Sequence, residues 1–261
     1  MDDKNVNDGN VQSGSGKQEL PVNETDETLI RVELALQKAG IPDDIAVNIR
    51  ETVRSGSRFI DELGMALEGD PYLHFLVDKR RPLPQGYEPS DLVSLIEGKT
   101  YRIGRGDLRL RSFVETSLEE MAKAAKTDGV TLLASSSYRS YDYQVTVYNR
   151  NVQEMGTEAA DRESARPGYS QHQTGLAVDF GSIDDTFAET KAGKWLLENA
   201  SGFGWSLSFP DGYEAVTGYR WESWHYRYVG TALSHFIDAY FNGIQQYALQ
   251  FLHEWEKQPP K

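Results

Sequence analysis

The segment Ser170-Gln-His172-Gln-Thr-Gly175-Leu-Ala-Val-Asp179-Phe180 places a histidine and an aspartate, two residue types that bind metals, on either side of a glycine. From Leu176 onward every second side chain is large and apolar, a period that is typical of a strand with one apolar face. Gly175 permits a tight turn after His172. The pattern therefore predicts a turn and a strand that direct the Asp179 carboxylate back toward the His172 imidazole.

A second segment, Trp221-Glu222-Ser-Trp224-His225, supplies another histidine and a glutamate three residues before it. The chain has five histidines and no cysteine, so a metal site must use histidine and carboxylate side chains. A zinc hydrolase usually keeps three such ligands and leaves a fourth position for the water that the metal acidifies. His172, Asp179 and His225 meet this count, and Glu222 lies where a general base is needed.

Each segment also has a purely structural interpretation. A histidine near aromatic residues is more often a satisfied structural residue, and an aspartate after a strand is often a cap or turn residue. The two segments together favour the metal site. A structural metal site with a fourth protein ligand would have to use the scattered His74, His235 or His253. Four aromatic residues around the second segment are predicted to pack in the core: Trp221, Trp224, Tyr226 and Tyr228.

The composition limits the class of protein. Forty acidic residues against 27 basic ones give a net charge of -13, so nucleic acid is not an expected partner. No run approaches the roughly 18 apolar residues of a transmembrane segment, and no export signal is visible at the start of the chain. Hydrophobic residues make up 39% of the 261 positions, which is enough for a packed core. Nothing in the sequence indicates an oligomeric state.

The chain divides into three regions by composition and periodicity. Residues 1–28 are acidic and polar, and they are expected to form a disordered tail. Residues 29–69 carry apolar positions at helical spacing around the break Gly40-Ile41-Pro42, which predicts a helical extension of two helices. Residues 70–258 are expected to form the catalytic domain.

Within that domain, helices and strands mix without strict alternation. The spacing predicts helices over residues 110–126, 141–154, 188–199 and 232–256, and strands near residues 130–134, 176–180, 203–208 and 226–229. This order favours an α+β fold with a small, mainly antiparallel sheet flanked by helices.

Three motifs, in this order along the chain, resemble those of the VanY-type D-alanyl-D-alanine carboxypeptidases. They are Ser-Tyr-Arg-Ser at 137–140, Ser-x-His-x-x-Gly-x-Ala-x-Asp at 170–179 and Glu-x-Trp-His at 222–225. The resemblance extends over roughly residues 72–230 and includes the segments 76–84 and 217–219. It implies the fold that these zinc peptidases share with the D-Ala-D-Ala dipeptidases and the hedgehog N-terminal domain.

The resemblance also implies roles for individual residues. His172, Asp179 and His225 would hold Zn2+ and Glu222 would act as the base, whereas Arg139 would bind the scissile carbonyl or the substrate carboxylate. Gln144 and Ser170 would contact the substrate. Without the resemblance, Gln144 would be interpreted as an exposed polar residue of a helix and Ser170 as a hydroxyl group in a turn. The implied substrate is a peptidoglycan stem peptide ending in D-Ala-D-Ala, which would put the enzyme in the cell envelope, outside the cytoplasmic membrane.

Two further functions stay open at this stage. An L,D-carboxypeptidase acting on tetrapeptide stems would use the same motifs, because they do not encode the stereochemistry of the pocket. A noncatalytic cell-wall-binding module would keep the fold without turnover, and the presence of Glu222 argues against it.

Overall fold

The computed structural model describes residues 22–259 and begins with three helices: α1 (Val22–Ala39), α2 (Asp43–Arg54) and α3 (Arg58–Ala66). The prediction of two helices was wrong because a second break, at Gly56 with φ 148°, separates α2 from α3. Residues 1–21 of the expected tail lie outside the described part of the chain. The last seven residues of that expected tail, 22–28, are helical, because acidic side chains such as Asp26 and Glu27 are tolerated near a helix N-terminus.

The middle of the chain forms four strands and three helices. Its elements are β1 (Leu92–Ser94), β2 (Arg102–Ile103), β3 (Arg109–Arg111), α4 (Ser112–Thr127), β4 (Leu133–Ser136), α5 (Tyr141–Met155) and α6 (Thr157–Glu163). β1 and β3 pair as an antiparallel ribbon. The predicted helices at 110–126 and 141–154 are confirmed as α4 and α5 within about two residues, the usual uncertainty of a helix end.

The rest of the chain completes the sheet and the helical cover. A 3-10 turn at Gln171–Thr174 precedes β5 (Ala177–Phe180), α7 (Lys191–Asn199), β6 (Trp205–Leu207), α8 (Glu214–Thr217), β7 (His225–Tyr228), α9 (Thr231–Tyr240) and α10 (Gln245–Glu256). The single helix predicted over 232–256 was wrong. Asn242 (φ 53°) and Gly243 (φ 73°) adopt left-handed backbone conformations, which end α9 and allow α10 to start in a new direction.

Five strands form the main sheet in the order β2-β4-β5-β7-β6. β2 and β4 are parallel, and the other three pairings are antiparallel, so the expected α+β fold with a mainly antiparallel sheet is confirmed. β5 lies at the centre. Its residue Asp179 is in register with His225 on β7 and with Ser136 on β4, so the sheet itself brings these three positions together.

Two hydrophobic cores support this arrangement. One lies between the sheet and helices α4 and α7. The other joins α1, α2 and α3 to the C-terminal helices α9 and α10, and Phe59 lies at its centre, 5.3 Å from Phe236 and 5.9 Å from Phe251 between ring centroids. The three N-terminal helices therefore pack against α9 and α10. Within residues 22–259, none of the helices has the length and apolarity that crossing a membrane requires.

A candidate metal centre

His172 and Asp179 are brought together by the turn that the sequence predicts. Gly175, with φ 72°, ends the 3-10 turn that carries His172 and starts the chain toward β5. His172 Nε2 lies 3.3 Å from Asp179 Oδ2. On the other side of the ring, Nδ1 lies 2.8 Å from the carbonyl oxygen of Ser137. A carbonyl only accepts, so Nδ1 carries the proton and Nε2 presents its lone pair to the site.

His225 faces the same carboxylate from the neighbouring strand. Its Nδ1 lies 3.0 Å from Asp179 Oδ1, and its Nε2 lies 3.2 Å from the amide oxygen of Gln171. The Nε2–H group therefore donates to Gln171, which leaves the Nδ1 lone pair free. The two imidazole rings are almost perpendicular, at 89°, with their centroids 4.8 Å apart. Both histidines thus present an acceptor nitrogen to Asp179.

This donor set fits a metal cation. One ligand atom from each of His172, Asp179 and His225 lies within 4.8 Å of the others, and all three side chains are buried. Asp179 Oδ1 faces an unprotonated nitrogen and has no hydrogen-bond partner among the described residues. Such mutually facing lone pairs are unfavourable in a buried site unless a cation lies between them. Two histidines and one carboxylate are ligands that zinc accepts.

Burial and neighbouring charges set the protonation of the site. Burial and the positive charge of Arg139 lower the pKa of His172 to about 4, so the imidazole is neutral at neutral pH. Burial alone would raise the pKa of Asp179, but the adjacent imidazole rings and the positive charge of Arg139 hold it well below its ordinary value. His172 therefore offers a neutral imidazole and Asp179 a carboxylate, the protonation that metal binding requires.

Glu222 lies beside the three ligand groups. Its Oε2 is 3.5 Å from His225 Nδ1, and the residue is 8% exposed. Burial and the negative charge of Asp179 raise its pKa well above the ordinary range. A cation bound beside Asp179 would counter this negative charge and favour the carboxylate form of Glu222, which can accept and return a proton within the cavity.

Arg139 approaches Asp179 from the loop that follows β4. Its Nη2 donates to Asp179 Oδ2 at 2.7 Å, and its Nε donates to Ser136 Oγ at 3.1 Å. Its side chain is 17% exposed and lines the cavity. In this structure, then, the predicted substrate-binding arginine is also a hydrogen-bond partner of a ligand carboxylate.

Gln144 and Ser170, the other two predicted substrate contacts, have different surroundings. Ser170 lines the cavity and caps the 3-10 turn, where its Oγ accepts a hydrogen bond from His172 N at 3.3 Å. Gln144 is fully buried on α5. Its Nε2 donates to the carbonyl oxygen of Ala165 at 2.7 Å and to Ser164 Oγ at 3.2 Å, and these two residues line the cavity, whereas Gln144 itself does not.

Sequence reasoning missed Gln171. Its side chain is 6% exposed, and its amide oxygen accepts from His225 and also from Ser208 Oγ at 2.7 Å. The amide of Gln245 on α10 joins this group, since its Oε1 lies 3.4 Å from Gln171 Nε2 and 3.3 Å from Ser208 Oγ. Only the position of Gln171 beside His172 hinted at a role, because a glutamine has no charge or metal-binding chemistry to mark it.

The remaining histidines do not join the metal group. His74 lies 3.2 Å from Glu256, His235 lies 4.0 Å from Glu62 and His253 lies on α10. Within residues 22–259 the metal group therefore has three members, and no fourth histidine or carboxylate completes a closed structural site. The cavity above it has a volume of about 280 Å3 and is also lined by Arg150, Asn151, Met155 and Trp224.

Comparison with known proteins connects this geometry to a family. Residues 107–231 match the VanY family, D-alanyl-D-alanine carboxypeptidase. The putative carboxypeptidase YodJ of Bacillus subtilis (strain 168) is 38% identical over 161 residues, which cover 59% of this chain and 59% of that protein. Across three such curated carboxypeptidases, the chain spans 50 to 59% of their length.

Two solved structures share the fold. The LdcB LD-carboxypeptidase, described with its peptidoglycan recognition, is 34% identical with a TM-score of 0.57, and the match covers 65% of this chain and 85% of that one. A VanY D,D-pentapeptidase from a VanB-type resistance cassette, in complex with Zn(II), is 29% identical with a TM-score of 0.56, and the match covers 71% of this chain and 99% of that one. The chain belongs to the VanY D-alanyl-D-alanine carboxypeptidase family.

Proposed function

We propose that the protein is a zinc-dependent carboxypeptidase that removes the terminal D-alanine from peptidoglycan stem peptides that end in D-Ala-D-Ala. The observation that carries the proposal is the position of Glu222, whose Oε2 lies 3.5 Å from His225 Nδ1 in the cavity shared with His172, Asp179 and Arg139. A carboxylate beside three metal ligands and a guanidinium is the set of groups that hydrolysis of an amide requires.

The residues divide the chemistry between them. His172 Nε2, His225 Nδ1 and the Asp179 carboxylate would hold zinc, which supplies a Lewis acid that acidifies water and polarises a carbonyl. Glu222 takes a proton from the attacking water on a carboxylate oxygen and delivers it to the nitrogen of the departing D-alanine. A C–O bond replaces the C–N bond, and one proton moves from water to the amine. Because Glu222 is buried, bulk water does not compete for that proton.

Arg139 is proposed to hold the substrate through the part of its guanidinium that remains free. Its Nη2 and Nε groups donate to Asp179 and Ser136, whereas Nη1 makes no hydrogen bond within residues 22–259. A guanidinium donates strongly to a carboxylate or to a developing oxyanion. Ser170 lines the same cavity and only accepts a hydrogen bond there, so its own proton is available to a substrate oxygen.

Gln144 remains a proposed substrate contact. Its Nε2 is held by Ala165 and Ser164, whereas its Oε1 has no partner among the described residues. A buried amide oxygen without a partner can accept a hydrogen bond from a substrate N–H group.

An L,D-carboxypeptidase that acts on tetrapeptide stems is the second candidate. The observation that favours it is the match to the LdcB LD-carboxypeptidase at 34% identity. Both reactions use the same ligands and base, and they differ in the configuration of the residue before the cleaved bond. The cavity wall that meets this residue, rather than the metal centre, therefore decides between them.

Mass spectrometry of the products distinguishes the candidates. Zinc-loaded protein is incubated with a stem pentapeptide and, separately, with the matching tetrapeptide. Loss of one D-alanine from the pentapeptide alone is the expected result. Cleavage of the tetrapeptide alone would replace the proposal with L,D-carboxypeptidase activity, and cleavage of neither would favour a noncatalytic cell-wall-binding module.

Glu222→Gln tests the base directly. The variant keeps the shape of the side chain, so it should retain one zinc ion per chain while kcat falls by about 10³-fold, a typical loss for a general base. Glu198→Gln is the matched control, because Glu198 is exposed on α7, and this variant should cleave like the parent protein. Equal activity of the two variants would contradict the role of Glu222.

The cell envelope, outside the cytoplasmic membrane, is the proposed location, because peptidoglycan stem peptides are found there. Fractionation of cells that produce the native protein tests this part of the proposal. Recovery in the cytoplasmic fraction alone would contradict it.

A further inference from the structure

A second cavity opens beside the metal centre. It has a volume of about 350 Å3, and three of its six lining residues also line the cavity above the metal ligands: Ser164, Tyr169 and Tyr219. The other three are Lys79, Asp161 and Arg166. The two cavities therefore lie next to each other and share these three residues as a common wall.

Lys79 is the unusual residue of this second cavity. Its side chain is partly buried and packs against Gly218, where a Cβ atom would lie 2.9 Å from Lys79 Cδ. Nζ donates to the backbone carbonyl of Asp161 and lies 4.3 Å from the centre of the Tyr219 ring. Within residues 22–259, Lys79 forms no ion pair with a carboxylate. A partly buried ammonium group without such a partner is costly unless a ligand supplies the negative charge.

The nearest acid, Asp161, is already engaged. Its Oδ1 accepts from Arg166 Nε at 3.0 Å and from Tyr148 at 2.7 Å, and its Oδ2 accepts from Arg166 Nη2 at 2.8 Å. Asp161 and Arg166 therefore neutralise one another. The charge of Lys79 remains as the excess charge among the residues that line the cavity.

Two hydroxyl groups at the cavity wall have protons to donate. Tyr219 is 5% exposed, and its hydroxyl group has no hydrogen-bond partner among the described residues. Ser164 is 7% exposed and accepts from Gln144 Nε2, so its own proton remains available. Together with the free N–H groups of Lys79 they form a set of donors around the cavity. A donor set with a positive charge is complementary to a carboxylate.

The cavity also lies within reach of a substrate held at the metal. Lys79 Nζ is 4.3 Å from the Tyr219 ring, Tyr219 is 4.6 Å from Phe209, and Phe209 is 4.7 Å from the His225 ring. An extended peptide covers about 3.5 Å per residue. The straight-line separation between Lys79 Nζ and the His225 ring is thus no more than the length of about four residues of such a peptide.

We propose that Lys79, Tyr219 and Ser164 form a subsite for a free carboxylate that the substrate carries two to four residues before the cleaved bond. The inference rests on the proposed function, since it takes a stem peptide as the ligand. In such a stem the α-carboxylate of a γ-linked glutamate lies at that distance. The subsite makes the enzyme prefer stems in which this carboxylate is free over stems in which it is amidated.

Calorimetry on zinc-loaded Glu222→Gln protein tests the subsite without turnover. The probes are a stem pentapeptide with the free glutamate carboxylate and the same peptide with that group amidated. We expect the acid to bind about tenfold more tightly, the ratio that one hydrogen-bonded charge typically supplies. Adding Lys79→Met, which keeps an unbranched apolar chain against Gly218, should make the two dissociation constants equal. Adding Tyr219→Phe should reduce their ratio by a smaller factor.

Lys123→Met is the matched control, because Lys123 is exposed on α4 and pairs only with Glu119 within the described residues; it should preserve the ratio. Zinc content and thermal unfolding identify a variant that fails to fold, in which case Lys79→Gln replaces it. Equal binding of both probes by the parent protein, no binding of either, or a preference that survives Lys79→Met would overturn the proposal. Cleavage by the active enzyme is a separate measurement, so failure of the proposed function is distinguishable.

Discussion

The Nη2 group of Arg139 lies 2.7 Å from Oδ2 of Asp179, the same oxygen that lies 3.3 Å from His172 Nε2. This contact links the loop after β4 to the metal ligand on β5. It also orients the carboxylate, because one of its two oxygens is held by a fixed, planar donor. Arg139 therefore holds a carboxylate of the metal group and lines the cavity above that group at the same time.

Arg139→Lys should weaken both functions. A lysine has a single ammonium group, which cannot donate to Asp179 and Ser136 with the geometry of a guanidinium. We expect zinc affinity to fall by about tenfold or more, as is typical when an outer partner of a ligand is lost, and kcat/KM to fall by about 100-fold. Competition with a chromophoric chelator measures the first quantity and steady-state kinetics the second. Unchanged zinc affinity with lost activity would restrict Arg139 to substrate binding.

Gln171→Ala should weaken zinc binding without touching a ligand. The amide oxygen of Gln171 fixes the proton of His225 on Nε2 and so aims Nδ1 at the metal. Losing this acceptor should cost about tenfold in zinc affinity. Gln173→Ala is the matched control, since Gln173 is also buried in the same turn but donates to Tyr87 O at 2.9 Å. If both variants lose the same zinc affinity, the cause would be a disturbance of the turn that carries His172, and not the loss of the hydrogen bond to His225.

The sequence predicted the His172 and Asp179 half of the metal group because its geometry is local. A glycine turn and the period of a strand suffice to bring Asp179 back to His172. The register of Asp179 with His225 is a long-range pairing between β5 and β7, so His225 could be predicted only from the number of ligands that zinc needs and from the resemblance to a family. The contact of Arg139 with Asp179 depends in the same way on the position of β4 beside β5.

Three features were beyond the sequence for physical reasons. Gln171 is neutral, and its role comes from His225, 54 residues away. The break between α9 and α10 depends on Asn242, a residue that is tolerated in a helix and gives no strong signal for a stop. Lys79 resembles an ordinary surface lysine until the fold puts the Tyr219 ring next to it. In each case the information lies in a tertiary contact.

Zinc should stabilise the folded protein strongly. The metal binds the three buried ligands in the folded state and has no such site in the unfolded chain. Free zinc at 1,000 times the dissociation constant contributes about 4 kcal/mol, which raises Tm by about 10 °C in a protein of this size. Differential scanning fluorimetry with zinc and with a chelator measures this shift. His172→Ala should abolish it, whereas His235→Ala, a change at an exposed histidine, should preserve it.

The pairing of Asp70 with Arg111 should appear in the pH dependence of stability. Burial opposes the charge of Asp70, but hydrogen bonds from Arg111 and the Tyr72 N–H, with the charge of Arg111, hold its pKa below the ordinary value. The folded pKa is lower than the unfolded pKa of about 3.9, so the stabilisation is present above pH 4 and is lost as the pH falls through the folded pKa. Asp70→Asn should therefore cost about 1 kcal/mol of unfolding free energy at pH 7 and less at pH 2.

Urea unfolding at the two pH values measures that difference. Asp107→Asn is the control, since Asp107 pairs with Arg105 at 2.9 Å but its side chain is 72% exposed, and it should be neutral at both pH values. If Asp70→Asn lowers the unfolding free energy by the same amount at pH 7 and at pH 2, the packing of the side chain, and not its charge, explains the effect.

Arg227→Met should loosen the segment that carries Lys79. Arg227 is fully buried on β7, and its Nη2 donates to the carbonyl oxygens of Tyr72 at 2.8 Å and Phe75 at 2.9 Å. Burial lowers the pKa of this guanidinium to about 10, so it stays charged at neutral pH. Removing it leaves buried carbonyl groups without a donor, which should cost about 2 to 4 kcal/mol of unfolding free energy.

Urea denaturation measures the cost of Arg227→Met, and hydrogen exchange locates it. Residues 72–79 should exchange faster in the variant, because the guanidinium is what joins their backbone to the sheet. Arg102→Met is the control, since the Arg102 side chain is 68% exposed and lies 3.9 Å from Glu97, and it should change stability by less than about 0.5 kcal/mol. Two nitrogens of Arg227, Nε and Nη1, are buried without a hydrogen-bond partner among the described residues, and their desolvation already destabilises the fold. If Arg227→Met leaves both the unfolding free energy and the exchange rates unchanged, the charge of Arg227 does not hold residues 72–79 on the sheet.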